Sequence, residues 1–149
     1  MIHLKRTNSD DSDFYELVKL LDADLLERYG DEQQFYSQFN KIDKIRFVVL
    51  AYENNEAIAC GAIKEYASDT MEIKRMYVTI EMRGKGVAVA VLNDLESWAK
   101  ELGYKKCVLE TGDKMLEAIG LYKKSGYKII KNYGQYENIE SSICFEKEL

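Results

Sequence analysis

Hydrophobic and polar residues alternate in some stretches of this chain, and in others apolar residues recur every three or four positions. Alternation is typical of strands with one buried face, and the longer spacing is typical of amphipathic helices. The strand-like stretches are IHLKRT, IRFVVLAY, AIACGAIKEY, MEIKRMYV, KKCVLET, YKIIKN and SICFEKEL. Between the second and third of them, ENNE predicts a hairpin with an Asn-Asn turn.

Helical spacing marks four further segments. Asp13, with Glu16 three residues later, is predicted to cap a first helix, whose apolar face holds Phe14, Leu17, Val18 and Leu21. EQQFYSQFNKI predicts a second helical region. The most regular helix ends at Gly103, and its buried face is predicted to hold Ala88, Val91, Leu92, Leu95, Trp98, Ala99 and Leu102. A short helix around Ala118–Tyr122 is predicted to end at Gly126.

This order of elements predicts one domain over residues 1–149, with an α/β (α+β) sheet that carries helices on its faces. Hydrophobic residues make up 46% of the chain and charged residues 32%, which is a globular composition. The net charge of −5 argues against a nucleic-acid partner. No apolar run approaches the roughly 18 residues that span a bilayer. MIHLKRTNSD lacks the apolar core of a signal peptide, so we expect a cytoplasmic protein without a membrane partner.

The three cysteines, Cys60, Cys107 and Cys144, lie far apart in apolar, strand-like stretches. None of them forms a C-x-x-C pair, and His3 is the only histidine that could join them at a metal. We therefore expect reduced core cysteines and no metal site.

The sequence RGKGVA opens the long helix and suggests a site for a phosphate group. Free amides at a helix N-terminus attract anions, and glycines let a ligand approach them closely. A P-loop would need Ser or Thr after the lysine, but Lys85 is followed by Gly86. A dinucleotide fingerprint would need a third glycine, where this chain has Val89. Glu110 stands roughly where that fingerprint would place its ribose-binding acid.

A third pattern matches better. The residues from Arg83 to Ala88 match R/Q-x-x-G-x-G/A, the acyl-CoA signature of the GNAT superfamily of N-acyltransferases. Downstream, AIGLYKKSGYKII resembles the second signature of that family in Ala118, Tyr122, Gly126 and Tyr127. Upstream, MEIKRMYV resembles the strand that leads into the loop. The resemblance runs from about Ile45 to the C-terminus and implies a mixed, mostly antiparallel central sheet with helices on both faces.

The resemblance also implies acetyl-CoA as cosubstrate. Its pyrophosphate would be bound by the main-chain amides of Arg83, Gly84, Lys85, Gly86, Val87, Ala88 and Val89. The strand that ends at Val78 would splay from KKCVLET and expose backbone groups. Met76 and Val78 would then bind the pantetheine arm, and the Val78 N–H would polarise the thioester carbonyl.

Two side chains are candidates for proton transfer. The resemblance implies that Tyr122 hydrogen-bonds or protonates the departing thiolate, although a core-packed tyrosine would explain the same residue. Glu72 occupies the position of a general base in several family members, and an exposed strand carboxylate is its alternative interpretation. Side-chain alternation places Lys74 on the same face as Glu72, where it would neutralise that carboxylate.

These residues together predict an N-acetyltransferase in which a primary amine attacks acetyl-CoA directly in a ternary complex. The alternative is a non-catalytic acyl-CoA-binding or interaction module on the same fold. The acceptor would be a small-molecule or protein amine, and both a monomer and a homodimer remain open. An acidic N-terminal region suits a cationic amine or forms a solvated helix face: Asp22, Asp24, Glu27, Asp31 and Glu32. Four aromatic residues either line the acceptor pocket or pack in the core: Tyr29, Phe35, Tyr133 and Tyr136.

Overall fold

A central sheet organises the described part of this computed structural model, residues 1–30 and 44–149. Its strands are β1 (His3–Thr7), β2 (Phe47–Glu53), β3 (Glu56–Ala67), β4 (Thr70–Val78), β5 (Lys106–Gly112), β6 (Lys128–Ile130) and β7 (Ser142–Glu148). The described helices are α1 (Ser12–Tyr29), α2 (Val87–Glu101) and α3 (Leu116–Lys124), with short 3₁₀ turns at Ile80–Met82 and Gly134–Tyr136. None of these helices is long and apolar enough to cross a membrane.

The seven strands follow the order β1-β2-β3-β4-β5-β7-β6. All neighbouring pairs are antiparallel except β4 and β5, which pair in parallel. That parallel pairing covers only Thr70–Glu72 against Lys106–Val108, and beyond it the two strands separate. The predicted mixed, mostly antiparallel sheet and the predicted splaying of β4 from β5 are both confirmed.

A bulge in β4 accompanies this separation. The register between β3 and β4 shifts between Cys60 and Ala62, and Arg75 on the bulged strand has a φ of 59°. Opposite the bulge lies Gly61, where a Cβ atom would stand 2.5 Å from the Sδ of Met76. A Cβ at this position would therefore collide with the side chains of Met76, Leu95 and Val91. Because a bulge bends its strand and increases the local twist, it helps to turn the end of β4 away from β5.

Helices cover both faces of the sheet, as predicted. Val48 and Leu50 of β2 belong to the core cluster that contains the apolar face of α1. Val49 and Ala51, the alternate residues of the same strand, belong to the cluster that contains α2 and Tyr122 of α3. Strand β2 therefore contributes apolar side chains to two cores, one on each face of the sheet.

The start of α1 differs from the prediction. Its N-cap residue is Asp11, whose carboxylate accepts a hydrogen bond from the Asp13 amide at 3.0 Å, so the predicted cap at Asp13 is wrong. Asp13 instead accepts a hydrogen bond from the Tyr52 hydroxyl at 2.6 Å. Two aspartates lie close together here, and only the backbone geometry decides which one caps the helix.

Other elements follow the sequence pattern. In the β2–β3 hairpin, Asn54 and Asn55 have φ values of 52° and 65°, which confirms the predicted turn. The strand predicted over YKIIKN is shorter, since β6 covers only Lys128–Ile130. The second predicted helical region, EQQFYSQFNKI, lies outside the described residues. Cys60, Cys107 and Cys144 are free and buried, as expected.

Candidate active site

A cavity of about 490 Å³ lies between the end of β4, the loop before α2, and α3. We call it the loop cavity. Its lining includes Met76, Val78, Arg83, Gly84, Gly86, Val87, Ala88, Val89, Ala118, Leu121 and Tyr122. Every predicted coenzyme-binding residue except the exposed Lys85 therefore lies around this cavity. Its volume is within the range of small-molecule sites.

The backbone of this loop is shaped by its two glycines. Gly84 and Gly86 have φ values of 77° and 81°, a region in which residues with a Cβ are strained. Gly86 is also the N-cap residue of α2 and offers no side chain to its first amides. The amides and the positive end of the helix dipole therefore remain available to an anion.

The Arg83 side chain braces the end of β4. Its Nε donates a hydrogen bond to the carbonyl oxygen of Val78 at 2.9 Å, and its guanidinium lies 3.7 Å from the Asp24 carboxylate on α1. These contacts hold the loop against the strand whose backbone is predicted to bind pantetheine. The side chain thus links three elements around the loop cavity.

A second, smaller cavity of about 100 Å³ lies between α1, β4, β5 and α3. We call it the carboxylate cavity. Its lining includes Leu21, Tyr29, Glu72, Lys74, Arg75, Glu110, Tyr122 and Tyr136. The two cavities share Leu21, Met76, Met115, Ala118 and Tyr122. The structure therefore places the predicted coenzyme loop and the predicted general base in adjoining spaces.

Tyr122 stands where the cavities adjoin. The residue is only 5% exposed, and its ring packs 5.8 Å from those of Tyr127 and Phe145. The structure confirms that this tyrosine packs in the core, and it also lines both cavities. Its contact with the departing thiolate stays a prediction. Its hydroxyl has no hydrogen-bond partner among the described residues. Burial, together with the charge of Glu110, raises the pKa of Tyr122, so the phenol stays protonated near neutral pH.

Glu72 is buried with two partners. Its Oε1 lies 3.6 Å from the Nζ of Lys74, which confirms the predicted shared face. Its Oε2 accepts a hydrogen bond from the Tyr133 hydroxyl at 2.6 Å. The residue is only 8% exposed, so the alternative of an exposed strand carboxylate is wrong. The Tyr133 ring packs edge-on against the rings of Tyr66 and Tyr136.

Sequence reasoning considered a second carboxyl group, Glu110, only for a ribose contact and missed its place beside Glu72. Glu110 lines the carboxylate cavity, and its Oε2 accepts a hydrogen bond from the Ser142 hydroxyl at 2.6 Å. Burial raises the pKa of Glu110 to about 7, against the opposing effects of Ser142 and Lys74. The missed signal was strand alternation: Val108 pairs with Glu72, and Glu110 lies two residues further along the same face.

The acidic residues of α1 are mostly engaged with arginines. Asp22 lies 3.1 Å from the guanidinium of Arg75, and Asp24 lies 3.2 Å from that of Arg28. These pairs leave less free negative charge for a cationic acceptor than the sequence predicts. Tyr29 and Tyr136 do line the carboxylate cavity. Glu27 is exposed, and neither Glu27 nor Tyr133 lines either cavity. Asp31, Glu32 and Phe35 lie outside the described residues.

Comparison with known proteins assigns this arrangement to a family. The model of the Acetyltransferase (GNAT) family matches residues 14–127, which is more than half of the chain. The chain therefore belongs to the GNAT acetyltransferase family, and the predicted resemblance is confirmed. An uncharacterised N-acetyltransferase of Schizosaccharomyces pombe is 34% identical over 99 residues, which is 66% of this chain. The chain spans 60% of the length of that relative.

Solved structures show the same fold over the full chain. A Klebsiella pneumoniae protein assigned as an acyl-CoA N-acyltransferase is 27% identical, with a TM-score of 0.83 over 100% of this chain and 98% of its own. A GNAT family acetyltransferase of Elizabethkingia anophelis, solved with acetyl-CoA bound, is 22% identical. It has a TM-score of 0.70 over 99% of this chain and 98% of its own.

Proposed function

We propose that this protein transfers the acetyl group of acetyl-CoA to a primary amine, by direct attack of the amine in a ternary complex. The observation that carries the proposal is the meeting of two cavities at Tyr122. One cavity has a glycine-rich helix N-terminus suited to a pyrophosphate. The other has two carboxyl groups suited to an ammonium, the buried Glu72 and the partly buried Glu110. Acetyl-CoA bound in the Elizabethkingia neighbour supports the choice of coenzyme.

Acetyl-CoA occupies the loop cavity in this proposal. The main-chain amides of residues 83–89, at the N-terminus of α2, bind its pyrophosphate oxygens. Within the described residues, β4 has no strand partner on its β5 side beyond Glu72, so its backbone near Met76 and Val78 can pair with the pantetheine arm. The Val78 N–H then stabilises the negative charge that develops on the thioester carbonyl oxygen.

The acceptor amine occupies the carboxylate cavity. An amine with a pKa of about 10.4 is mostly ammonium at pH 7, and freeing its lone pair costs roughly 4.6 kcal/mol. A carboxylate within reach lowers the barrier to attack by accepting the proton as the N–C bond forms, an effect of typically about 10²–10⁴-fold. Glu72 is the carboxylate predicted for that step, and it lines this cavity beside Lys74. The small volume of the cavity suits a slender amine or the end of a lysine side chain.

Tyr122 serves the leaving group. Because its pKa is raised, the hydroxyl is protonated throughout the neutral range and donates a hydrogen bond to the sulfur as the C–S bond breaks. The amine, the thioester and this hydroxyl then meet at the boundary between the two cavities. The protein is expected to act in the cytoplasm, as a monomer or a homodimer.

The test is turnover with a panel of primary amines that includes spermidine, tryptamine, phenethylamine, free lysine and a lysine peptide. We expect coenzyme A release, followed with a thiol reagent, to match formation of the acetylated amine by mass spectrometry. Tyr122→Phe should lose most of this activity. Tyr127→Phe is the matched control, because the Tyr127 hydroxyl donates to Glu96 at 2.8 Å and Tyr127 lines neither cavity.

The outcome distinguishes two functions on the same fold. Equal amounts of coenzyme A and acetylated amine support transfer. Binding of acetyl-CoA without transfer to any amine of the panel would contradict the proposal and favour an acyl-CoA-binding module.

A further inference from the structure

The two carboxyl groups of the carboxylate cavity differ in how their oxygens are engaged. Both oxygens of Glu72 have a partner, since Tyr133 donates to Oε2 and Lys74 lies beside Oε1. Glu110 accepts one hydrogen bond, from Ser142 to Oε2. In the part of the chain that the structure describes, its Oε1 receives none. Glu110 therefore has a carboxylate oxygen available for an incoming N–H group.

The position of Glu110 in the sheet also favours contact with the reacting atoms. The parallel pairing of β4 with β5 ends at Glu72 and Val108. Glu110 lies two residues beyond Val108, in the part of β5 that no longer pairs with β4. This gap is where the β4 backbone is proposed to bind the pantetheine arm. Glu110 thus lies further into the split between the strands than Glu72 does.

Glu110 also acts electrostatically on Tyr122. Both residues line the carboxylate cavity, and the negative charge of Glu110 contributes to the raised pKa of Tyr122. A negative charge near the phenol opposes formation of a tyrosinate. When Glu110 is protonated it carries no charge and no longer disfavours the tyrosinate. Protonation of Glu110 therefore makes it easier for Tyr122 to release its phenolic proton.

We propose that Glu110, rather than Glu72, accepts the proton of the acceptor ammonium and then returns it to Tyr122 after Tyr122 has protonated the coenzyme thiolate. This inference rests on the proposed acetyl transfer. In it, Glu72 with Lys74 and Tyr133 positions the amine.

The protons and electrons balance in this sequence. The ammonium gives one proton to the Glu110 carboxylate, and the freed lone pair forms the N–C bond to the acetyl carbonyl carbon. The C–S bond breaks, its electrons stay on sulfur, and Tyr122 protonates the sulfur. Glu110 reprotonates Tyr122 and, as a carboxylate again, takes the second proton from the nitrogen. Glu110 releases this second proton to solvent when the product leaves. One of the two protons lost by the ammonium is thus balanced by the proton on the coenzyme sulfur, and the other passes to water.

The surroundings of Glu110 support a role in proton transfer near neutral pH. Among residues 1–30 and 44–149, the charged groups that face the same cavity come from β4: Glu72, Lys74 and Arg75. The other titratable groups around Glu110 in these ranges are Tyr29 on α1, Tyr122 on α3, Tyr136 after β6 and Cys144 on β7. Burial raises the pKa of Tyr122, Tyr136 and Cys144, so these three groups stay neutral there. A base is most effective when its pKa is near the working pH, and that of Glu110 is about 7.

The experiment measures kcat/KM against pH for the wild-type protein, Glu110→Gln and Glu72→Gln, with the most active amine of the panel. We expect the wild-type rate to rise with pH and to level near pH 7, where Glu110 loses its proton. Glu110→Gln should lose this inflection and follow only the deprotonation of the free amine, with a rate reduced about 10²–10⁴-fold at neutral pH.

Glu72→Gln is the matched comparison, because it removes a carboxylate from the same cavity. It should keep the inflection but move it to lower pH, since the charge of Glu72 raises the pKa of Glu110. The acetyl-CoA-dependent rise in melting temperature should be the same in all three proteins, which shows that the loop cavity is intact.

Three results would overturn the inference. Persistence of the inflection in Glu110→Gln would remove Glu110 as the proton acceptor. Loss of the inflection in Glu72→Gln alone would assign the step to Glu72. Absence of turnover by the wild-type protein would overturn the proposed function, and the inference with it. A ¹³C NMR titration of labelled glutamate carboxyl groups separates these cases. It should show one resonance that titrates near pH 7 and is absent from Glu110→Gln.

Discussion

For Glu110→Gln we predict a change in the free energy of unfolding, which can be measured without an activity assay. This substitution replaces a partly buried carboxyl group with an amide of nearly the same shape, whose oxygen can still accept the Ser142 hydrogen bond. The pKa of this carboxyl rises from its ordinary value of 4.5 to about 7 in the folded protein. Because the folded state holds the proton more tightly than the unfolded chain, the wild-type protein loses stability as pH rises through this window.

The size of the effect follows from the same shift. Each tenfold change in proton affinity corresponds to about 1.36 kcal/mol, so the change from 4.5 to about 7 corresponds to about 3 kcal/mol. This contribution is fully present below pH 4.5 and is lost above pH 7. Glu110→Gln carries no charge, so it should be more stable than the wild-type protein by up to about 3 kcal/mol at alkaline pH. At acidic pH, where Glu110 is protonated, the two proteins should be nearly equal.

Urea unfolding, followed by the fluorescence of the single tryptophan, Trp98, measures this difference at about pH 4 and about pH 8.5. Glu56→Gln, at an exposed carboxylate of β3, is the control for loss of one negative charge. A difference of about 3 kcal/mol corresponds to a rise of roughly 6–12 °C in melting temperature. If the Glu110→Gln protein is equally or less stable than the wild type at the alkaline pH, the argument from burial is refuted.

Three further predictions test other contacts. Tyr122→Phe should lower kcat about 10²-fold while the KM for acetyl-CoA stays the same, and an unchanged kcat in steady-state kinetics would remove Tyr122 from proton transfer. Gly61→Ala brings a Cβ within 2.5 Å of a side-chain sulfur and should cost about 1–3 kcal/mol in urea unfolding. Gly120→Ala, with open space at its Cβ in α3, should instead gain about 0.5–1 kcal/mol, and equal effects would contradict the packing argument. Lys147→Met leaves the buried Glu96 without its ion pair at 2.9 Å and should cost about 3 kcal/mol, whereas a loss below about 0.5 kcal/mol would show that the pair contributes little.

Much of the fold was predictable because local signals agreed with one another. The alternation in IRFVVLAY and the three-to-four spacing after Gly86 gave the correct element types, and the glycines at 103 and 126 have positive φ where the helices end. The coenzyme loop was predictable for a different reason. Its glycines, its place before a helix and its distance from the Tyr122 signature form one pattern. This pattern can be recognised in the sequence without knowing how the side chains pack.

The carboxylate cavity was less predictable, because it depends on contacts between residues far apart in the chain. Glu72 and Tyr133 are 61 positions apart, and Glu110 and Ser142 are 32 apart. Nothing in the local sequence indicates that these side chains meet. The predicted cap of α1 was wrong on a smaller scale. Glu16, three residues after Asp13, favoured Asp13 as the cap, but Asp11 has the extended backbone and accepts the capping hydrogen bond. Burial of Glu110 could be inferred only once β4 was known to lie beside β5.

The most direct test of the proposed coenzyme site is the melting temperature of this protein with and without acetyl-CoA, with NADH as the control ligand. At about 100 times its dissociation constant, a ligand that binds only the folded state adds about 2.7 kcal/mol. For a domain of this size, this corresponds to a rise of roughly 5–11 °C. We expect that rise with acetyl-CoA and none with NADH. No rise with acetyl-CoA, or an equal rise with NADH, would contradict the assignment of the loop from Arg83 to Val89 to an acyl-CoA.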